Sequence, residues 1–190
     1  MLLGDALSAL FMTHPPAPWT LDATVANVEE ADLDRLDWGA AFEAMDSLEN
    51  GGIANPDEGR QVGHYWLRAP ERAPTVHQGK AIGETVENVR IFAERVLAGE
   101  ITAEGGERFT HLVHIGIGGS ALGPRMLVQA LGDGGLTTYF VDNIDPDGIA
   151  RVLAKVPLRS TLFTIASKSG STPEPMFAQA LVERALSAHG

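Results

Sequence analysis

The chain has 190 residues, of which 44% are hydrophobic and 21% are charged, and it contains no cysteine. This composition is typical of a globular protein, and the lack of cysteine excludes disulfide bonds and zinc–thiolate sites. The net charge of −11 falls entirely within the first 110 residues, whereas residues 111–190 carry equal numbers of acidic and basic side chains. Nucleic acid requires a basic surface, so this distribution argues against nucleic acid as the main partner.

An apolar run at residues 6–12 is the only candidate for a targeting segment near the start of the sequence. It is too short to cross a membrane, no basic residue precedes it, and prolines follow it closely. We therefore expect neither a signal peptide nor a membrane anchor. Together with the absence of cysteine, this predicts a cytoplasmic protein with no membrane partner.

Residues 1–75 are predicted to form an N-terminal arm of short helices and loops. Prolines interrupt its beginning, and the acidic stretch at residues 28–49 has helical apolar spacing that ends at Gly51. Trp38 and Trp66 are predicted to lie in the core or to anchor the arm.

Residues 76–190 are predicted to form the second domain, which begins with an amphipathic helix at residues 80–97. Gly99 is expected to end this helix. Its apolar residues are spaced by three and four positions: Ile82, Val86, Val89, Ala93 and Val96.

A regular alternation of strands and helices follows. The pattern predicts strands at residues 112–117, 138–142 and 161–166, and helices at residues 121–131, 148–154 and 173–188. Asp145 followed by Pro146 is typical of a helix cap and the first helical position. The predicted fold is therefore α/β, a Rossmann-like parallel sheet with helices on both faces and a ligand at the carboxyl ends of the strands.

The first of two candidate binding loops, here called the glycine loop, comprises residues 116–120 and joins a strand to a helix. Its small residues bring backbone N–H groups, the positive end of the helix dipole and the Ser120 hydroxyl to one point. Such a point stabilises an anion. A purely structural turn remains an alternative interpretation.

The second candidate, the serine loop, comprises residues 167–172 and follows the last predicted strand. It contains four hydroxyl side chains beside Lys168. A terminal phosphate has three oxygens that require many donors at close range, so this loop favours a phosphorylated small molecule. An ordinary helix cap with additional serines is the alternative.

The glycine loop also satisfies the permissive dinucleotide fingerprint through Gly116, Gly118 and Ala121, with Asp142 at the end of the next strand. A dinucleotide therefore remains a competing ligand. The sequence has no Walker A motif, and no pair of histidines has ligand spacing with a nearby carboxylate, so we predict no metal site and no bound cofactor.

Three motifs in the same order resemble the glucose-6-phosphate isomerase family, also called the phosphoglucose isomerase family. They are GIGGSALGP at residues 116–124, FVDNID at residues 140–145 and SKSGST at residues 167–172. The resemblance is good from about residue 60 and looser before it. The stretches IANPDE at residues 53–58 and HYWLR at residues 64–68 are similar to bacterial members.

The resemblance implies that residues 76–190 are a sugar isomerase (SIS) domain and that the ligand is a sugar phosphate. It assigns to that ligand Gly119, Ser120, Ser167, Lys168, Ser169 and Thr172. In the family, a second SIS domain supplies the catalytic glutamate, an arginine, a histidine and a lysine, none of which can be matched here. We therefore expect an N-terminal portion of such an enzyme, with no catalytic residue of its own and no activity alone.

Two further expectations come from the resemblance. Members of the family are commonly homodimers, so the full-length enzyme is expected to be one. A non-catalytic SIS module that senses a sugar phosphate is the alternative function, and a dinucleotide-binding domain is a weaker one.

Overall fold

The computed structural model describes residues 11–13, 20–22, 30–132 and 134–189. Residues 1–10, which hold most of the apolar run at residues 6–12, lie outside the described residues, as do the early prolines. The chain divides between Glu84 and Thr85 into two compact units. Within the described residues, no helix is both long enough and apolar enough to cross a membrane.

The first unit contains short helices and two small antiparallel strand pairs. Its elements are β1 (Phe11–Thr13), β2 (Thr20–Asp22), α1 (Glu30–Leu33), α2 (Trp38–Glu49), β3 (Ile53–Asn55) and β4 (Arg60–Gln61), followed by a 3-10 turn at Pro70–Arg72. Strand β1 pairs with β2, and β3 pairs with β4. The sequence does not predict these strand pairs, because strands of two or three residues leave no readable alternation.

Helix α2 begins at a side-chain cap and ends where predicted. The Asp37 carboxylate accepts a hydrogen bond from the Ala40 N–H at 2.9 Å, and Gly51 has a φ of +88°, which glycine adopts easily. Trp66 is 3% exposed, and its Nε1 donates to the Glu49 carbonyl at 3.0 Å, as expected for an anchoring residue. Trp38 is 49% exposed, so the prediction of a core position for it is wrong.

Helix α3 (Val76–Ala98) contains the boundary between the two units. It begins four residues earlier than predicted because Thr75 caps it: Thr75 Oγ1 accepts from the Gln78 N–H at 3.2 Å. It ends at Gly99 as predicted, with a φ of +76°. On its exposed surface, hydrogen bonding to Arg90 lowers the pKa of Glu87.

The second unit is built on a parallel three-stranded sheet. Its elements are β5 (His111–Gly116), α4 (Gly119–Leu131), β6 (Thr137–Val141), α5 (Pro146–Leu153), β7 (Thr161–Ala166) and α6 (Pro173–His189), with a 3-10 turn at Leu158–Ser160. The strand order is β6-β5-β7, and β5 pairs parallel with both neighbours. This confirms the predicted α/β fold, and β7 has the predicted bounds.

One face of this sheet forms the hydrophobic core with α5 and α6. Since side chains alternate along a strand, alternate residues of each strand reach this face. The buried residues of the cluster are Val113, Ile115, Val141, Ile149, Val156, Ala178 and Val182. Asp145 caps α5, and its two carboxylate oxygens accept from the N–H groups of Asp147 and Gly148.

Helix α4 packs on the opposite face. Its Arg125 guanidinium lies 5.2 Å from the centre of the Phe140 ring, and Phe140 alternates with the core residues Tyr139 and Val141. Ala121, in the first turn of α4, is 1% exposed. Helices therefore cover both faces of the sheet, as the sequence predicts.

Candidate functional site

The candidate site lies at the carboxyl ends of β5 and β7. These neighbouring strands end on the same pair, Gly116 opposite Ala166. Strand β5 leads into α4 on one face of the sheet, whereas β7 leads into α6 on the other. In open α/β sheets, this divergence of successive helices leaves a crevice, which is where ligands bind.

The glycine loop approaches the sheet closely because Gly116 has no side chain. A Cβ placed on Gly116 would lie 2.8 Å from the Ser120 carbonyl oxygen and 3.0 Å from its carbonyl carbon. Gly118 has a φ of +56° and a ψ of −125°, a backbone conformation that side-chain-bearing residues rarely adopt. Both glycines are therefore required by the turn itself.

The start of α4 has no side-chain cap. Its N-cap is Gly118, whose carbonyl accepts from the N–H groups of Ala121 at 3.0 Å and Leu122 at 2.9 Å. The positive end of the helix dipole thus lies at the carboxyl edge of the sheet without a neutralising carboxylate in its first turn. This arrangement suits an anionic group.

The serine loop is organised by its own hydroxyl groups. Ser167 and Ser169 each lie within 3.3 Å of the Thr172 hydroxyl, oxygen to oxygen, and Ser167 Oγ accepts from the Gly170 N–H at 3.0 Å. Gly170 has a φ of +71°, which permits the tight turn. Ser167 and Thr172 are half-buried, whereas Lys168 and Ser169 are exposed.

The structure places all six predicted site residues on these two loops. Gly119 and Ser120 form the first turn of α4, and the others lie between β7 and α6: Ser167, Lys168, Ser169 and Thr172. Because β5 and β7 are adjacent, both loops leave the same edge of the sheet from neighbouring positions. Their role in binding stays a prediction.

Asp142, which the dinucleotide alternative requires for a ribose, is already engaged. Its carboxylate forms an ion pair with Arg125 at 2.7 Å, and both side chains are about two thirds buried. The Arg125 guanidinium thus occupies one oxygen of the carboxylate that a ribose would need. Among the described residues there is also no cluster of three or more potential metal ligands.

His114 lies in the site region and is not among the residues predicted from the sequence. Its ring lies between β7 and the first turn of α4, within hydrogen-bond distance of Thr164 Oγ1 and of the Ser120 carbonyl oxygen. The sequence did offer one sign of its importance: His114 is a polar residue inside an apolar strand, and Gly116 follows it two positions later.

The comparison with known families supports the resemblance seen in the loops. The sequence profile described as "Phosphoglucose isomerase" matches residues 24–190. This chain belongs to the phosphoglucose isomerase family. Both candidate loops and the whole parallel sheet lie within the matched residues.

Curated relatives are similar over most of this phosphoglucose isomerase family chain. The glucose-6-phosphate isomerase of Synechococcus sp. (strain JA-3-3Ab) is 49% identical over 178 residues, which cover 90% of this chain and 34% of the relative. That of Geobacter sp. (strain M21) is 49% identical over 138 residues, or 70% of this chain and 26% of the relative. The chain thus spans about a third or less of the length of these relatives.

A solved structure has a similar fold. The crystal structure of a glucose-6-phosphate isomerase from Chlamydia trachomatis D/UW-3/Cx superposes with a TM-score of 0.76 at 27% sequence identity. The match covers 97% of this chain and 37% of that chain. The fold described here is therefore that of a part of a phosphoglucose isomerase family member.

Proposed function

We propose that this chain is the sugar-phosphate-binding part of a glucose-6-phosphate isomerase, with an N-terminal arm at residues 1–75 and a first SIS domain at residues 76–190. The observation that carries the proposal is the pair of donor-rich loops at the carboxyl ends of two adjacent strands whose following helices lie on opposite faces. Family membership supports the choice of a sugar phosphate among anions.

In this proposal, the phosphate group binds to the serine loop. Ser167, Ser169 and Thr172 already form a hydroxyl cluster, and a hydroxyl that donates to a neighbour can rotate to donate to a phosphate oxygen. Lys168 supplies the cation that strengthens these hydrogen bonds. The remainder of the sugar then extends toward Gly119 and Ser120 of the glycine loop.

The proposed reaction of the whole enzyme is the interconversion of an aldose and a ketose phosphate. It requires a carboxylate that removes a proton next to the carbonyl and groups that stabilise the resulting enediolate. Among the described carboxylates at this edge of the sheet, Asp142 pairs with Arg125, Asp145 caps α5, and Glu174 lies in the first turn of α6, where it complements the helix dipole. Following the family resemblance, we place the base outside this chain, in a cytoplasmic enzyme that forms a homodimer at full length.

A non-catalytic sensor of sugar phosphates is the second candidate function. A sensor would bind the sugar phosphate through the same two loops, so binding alone does not distinguish it from an isomerase. The presence of a catalytic portion elsewhere in the protein would. A dinucleotide-binding domain has less support because Asp142 is held by Arg125.

Replacing Lys168 by glutamine is expected to weaken the binding of 6-phosphogluconate at least about tenfold, because a charge-assisted hydrogen bond to phosphate is lost. Isothermal titration calorimetry on the 190-residue chain measures this effect. Lys155→Gln is the matched control, since Lys155 is exposed and follows α5, away from the carboxyl edge of the sheet. Equal affinity in all three proteins, or binding of NAD in place of the sugar phosphate, would contradict the proposal.

The 190-residue chain is expected to show no isomerisation of glucose 6-phosphate above background. Binding a remote phosphate orients a substrate, but without a base it does not lower the barrier to proton transfer. The measurement is a coupled assay for fructose 6-phosphate at high protein concentration, with a full-length relative as positive control. Turnover that disappears in Ser120→Ala would show that the chain contains its own base.

A further inference from the structure

His114 occupies the central strand on the face that α4 covers. It lies opposite Phe140 of β6 and Thr164 of β7 in the register of the sheet. Its Nδ1 is 3.0 Å from Thr164 Oγ1, its Nε2 is 2.7 Å from the Ser120 carbonyl oxygen, and its ring meets Phe140 edge-on at 5.8 Å between centroids. One partly buried side chain therefore contacts both strands and the first turn of α4.

Pro124 explains why the Ser120 carbonyl accepts from a histidine. In an α-helix, the carbonyl of residue 120 accepts from the N–H of residue 124, and proline has no N–H. Helix α4 runs from Gly119 to Leu131 with Pro124 inside it, so Ser120 has no normal partner within the helix. The His114 Nε2–H donates in its place.

These partners also define the tautomer of His114. A carbonyl oxygen only accepts hydrogen bonds, so Nε2 carries a hydrogen. In the neutral ring, Nδ1 then accepts, and the Thr164 hydroxyl donates to it. Thr164 lies two residues before the end of β7, and the serine loop begins immediately after that end.

We propose that His114 is a positioning residue that fixes the glycine loop relative to the strand carrying the serine loop, and that Pro124 frees the Ser120 carbonyl for this purpose. The expected effect of His114 on ligand binding rests on the proposed function, since a sugar phosphate bound by both loops requires a fixed spacing between them. His114 itself need not touch the ligand.

A double-mutant cycle tests the role of Pro124 without any ligand. His114→Asn removes the Nε2 donor and keeps a polar group near Thr164, and we expect it to raise the unfolding equilibrium constant about tenfold. In the Pro124→Ala background, the helix supplies the missing N–H, so the same change is expected to raise the constant less than about threefold. Packing lost from the smaller side chain is common to both backgrounds and cancels. Additive effects in urea unfolding would overturn the role of Pro124.

Amide hydrogen exchange tests the link between the loops, also in the ligand-free chain. Thr164→Val removes only the hydroxyl on β7, and we expect it to increase exchange in residues 117–121, which follow a different strand. Thr138→Val is the matched control, because it removes a hydroxyl on β6 that bonds to Leu136 instead of His114. Increased exchange confined to β7, or equal changes in both variants, would overturn the link.

Titration with 6-phosphogluconate tests whether the contacts of His114 with both loops affect ligand affinity. Thr164→Val and His114→Asn are each expected to weaken affinity about three- to tenfold, with Thr164→Ser and Thr138→Val close to the parent chain. Binding by the parent with unchanged affinity in both variants would overturn the positioning role. Failure of the parent to bind would contradict the proposed function, and the cycle and the exchange data would still decide whether His114 links the loops.

Discussion

Replacing Gly116 by alanine is expected to destabilise the second unit by about 1–3 kcal/mol and to abolish detectable binding of 6-phosphogluconate. The added Cβ would lie 2.8 Å from the Ser120 carbonyl oxygen, so the first turn of α4 must move away from the sheet. That movement displaces Ser120 and lengthens its 2.7 Å contact with His114. Urea unfolding and calorimetric titration of the same preparation measure both effects.

Gly123→Ala is the control for this experiment. Gly123 is a helical position, and a Cβ added there would have no atom within 4 Å apart from its chain neighbours and the nearby backbone of α4. Alanine there is expected to stabilise α4 by about 0.5–1 kcal/mol and to leave binding intact. A Gly116→Ala protein that is as stable as its parent and binds equally well would show that the close packing of the glycine loop is not needed.

The strands, helices and loops of the sheet could be predicted because each has a local cause. Apolar runs mark buried strands, and β7 was predicted with its bounds at residues 161–166. Asp145 and Pro146 begin α5 at the expected positions. The positions of both loops could be predicted from their glycine and serine residues, which requires no knowledge of packing.

The start of α4 was predicted at residue 121, two residues later than the observed start at Gly119. With either start, the N–H of residue 124 is the normal donor to the Ser120 carbonyl, so Pro124 leaves that carbonyl without its helical partner. Whether a histidine lies near that carbonyl depends on strand order and register, which the sequence does not reveal.

The early start of α3 had a readable local signal. Thr75 followed by Gln78 is the spacing of a capping box, and Thr75 Oγ1 both accepts from the Gln78 N–H and contacts its side-chain oxygen at 3.0 Å. The exposure of Trp38 had no such signal. Its position depends on what α2 packs against, and no residue of α2 is buried.

Ile149→Ala is expected to destabilise the second unit by about 2–5 kcal/mol, which is more than Gly116→Ala. Ile149 on α5 is 2% exposed and belongs to the core cluster with Val113 and Ile115 of β5. Truncation leaves an apolar cavity that the packed sheet cannot close, which urea unfolding measures. Ile149→Val is expected to cost about 0.5–1.5 kcal/mol, and Ile144→Ala, at a residue 51% exposed, less than about 0.5 kcal/mol.

The same substitution separates stability from binding, because the core and α4 lie on opposite faces of the sheet. The folded fraction of Ile149→Ala is expected to bind 6-phosphogluconate within about twofold of the parent, since the contacts of the glycine and serine loops are unchanged. Gly116→Ala perturbs the face that carries Ser120 and is expected to lose binding at a smaller cost in stability. A loss of affinity in Ile149→Ala under conditions where the protein remains folded would show that the core determines the geometry of the loops.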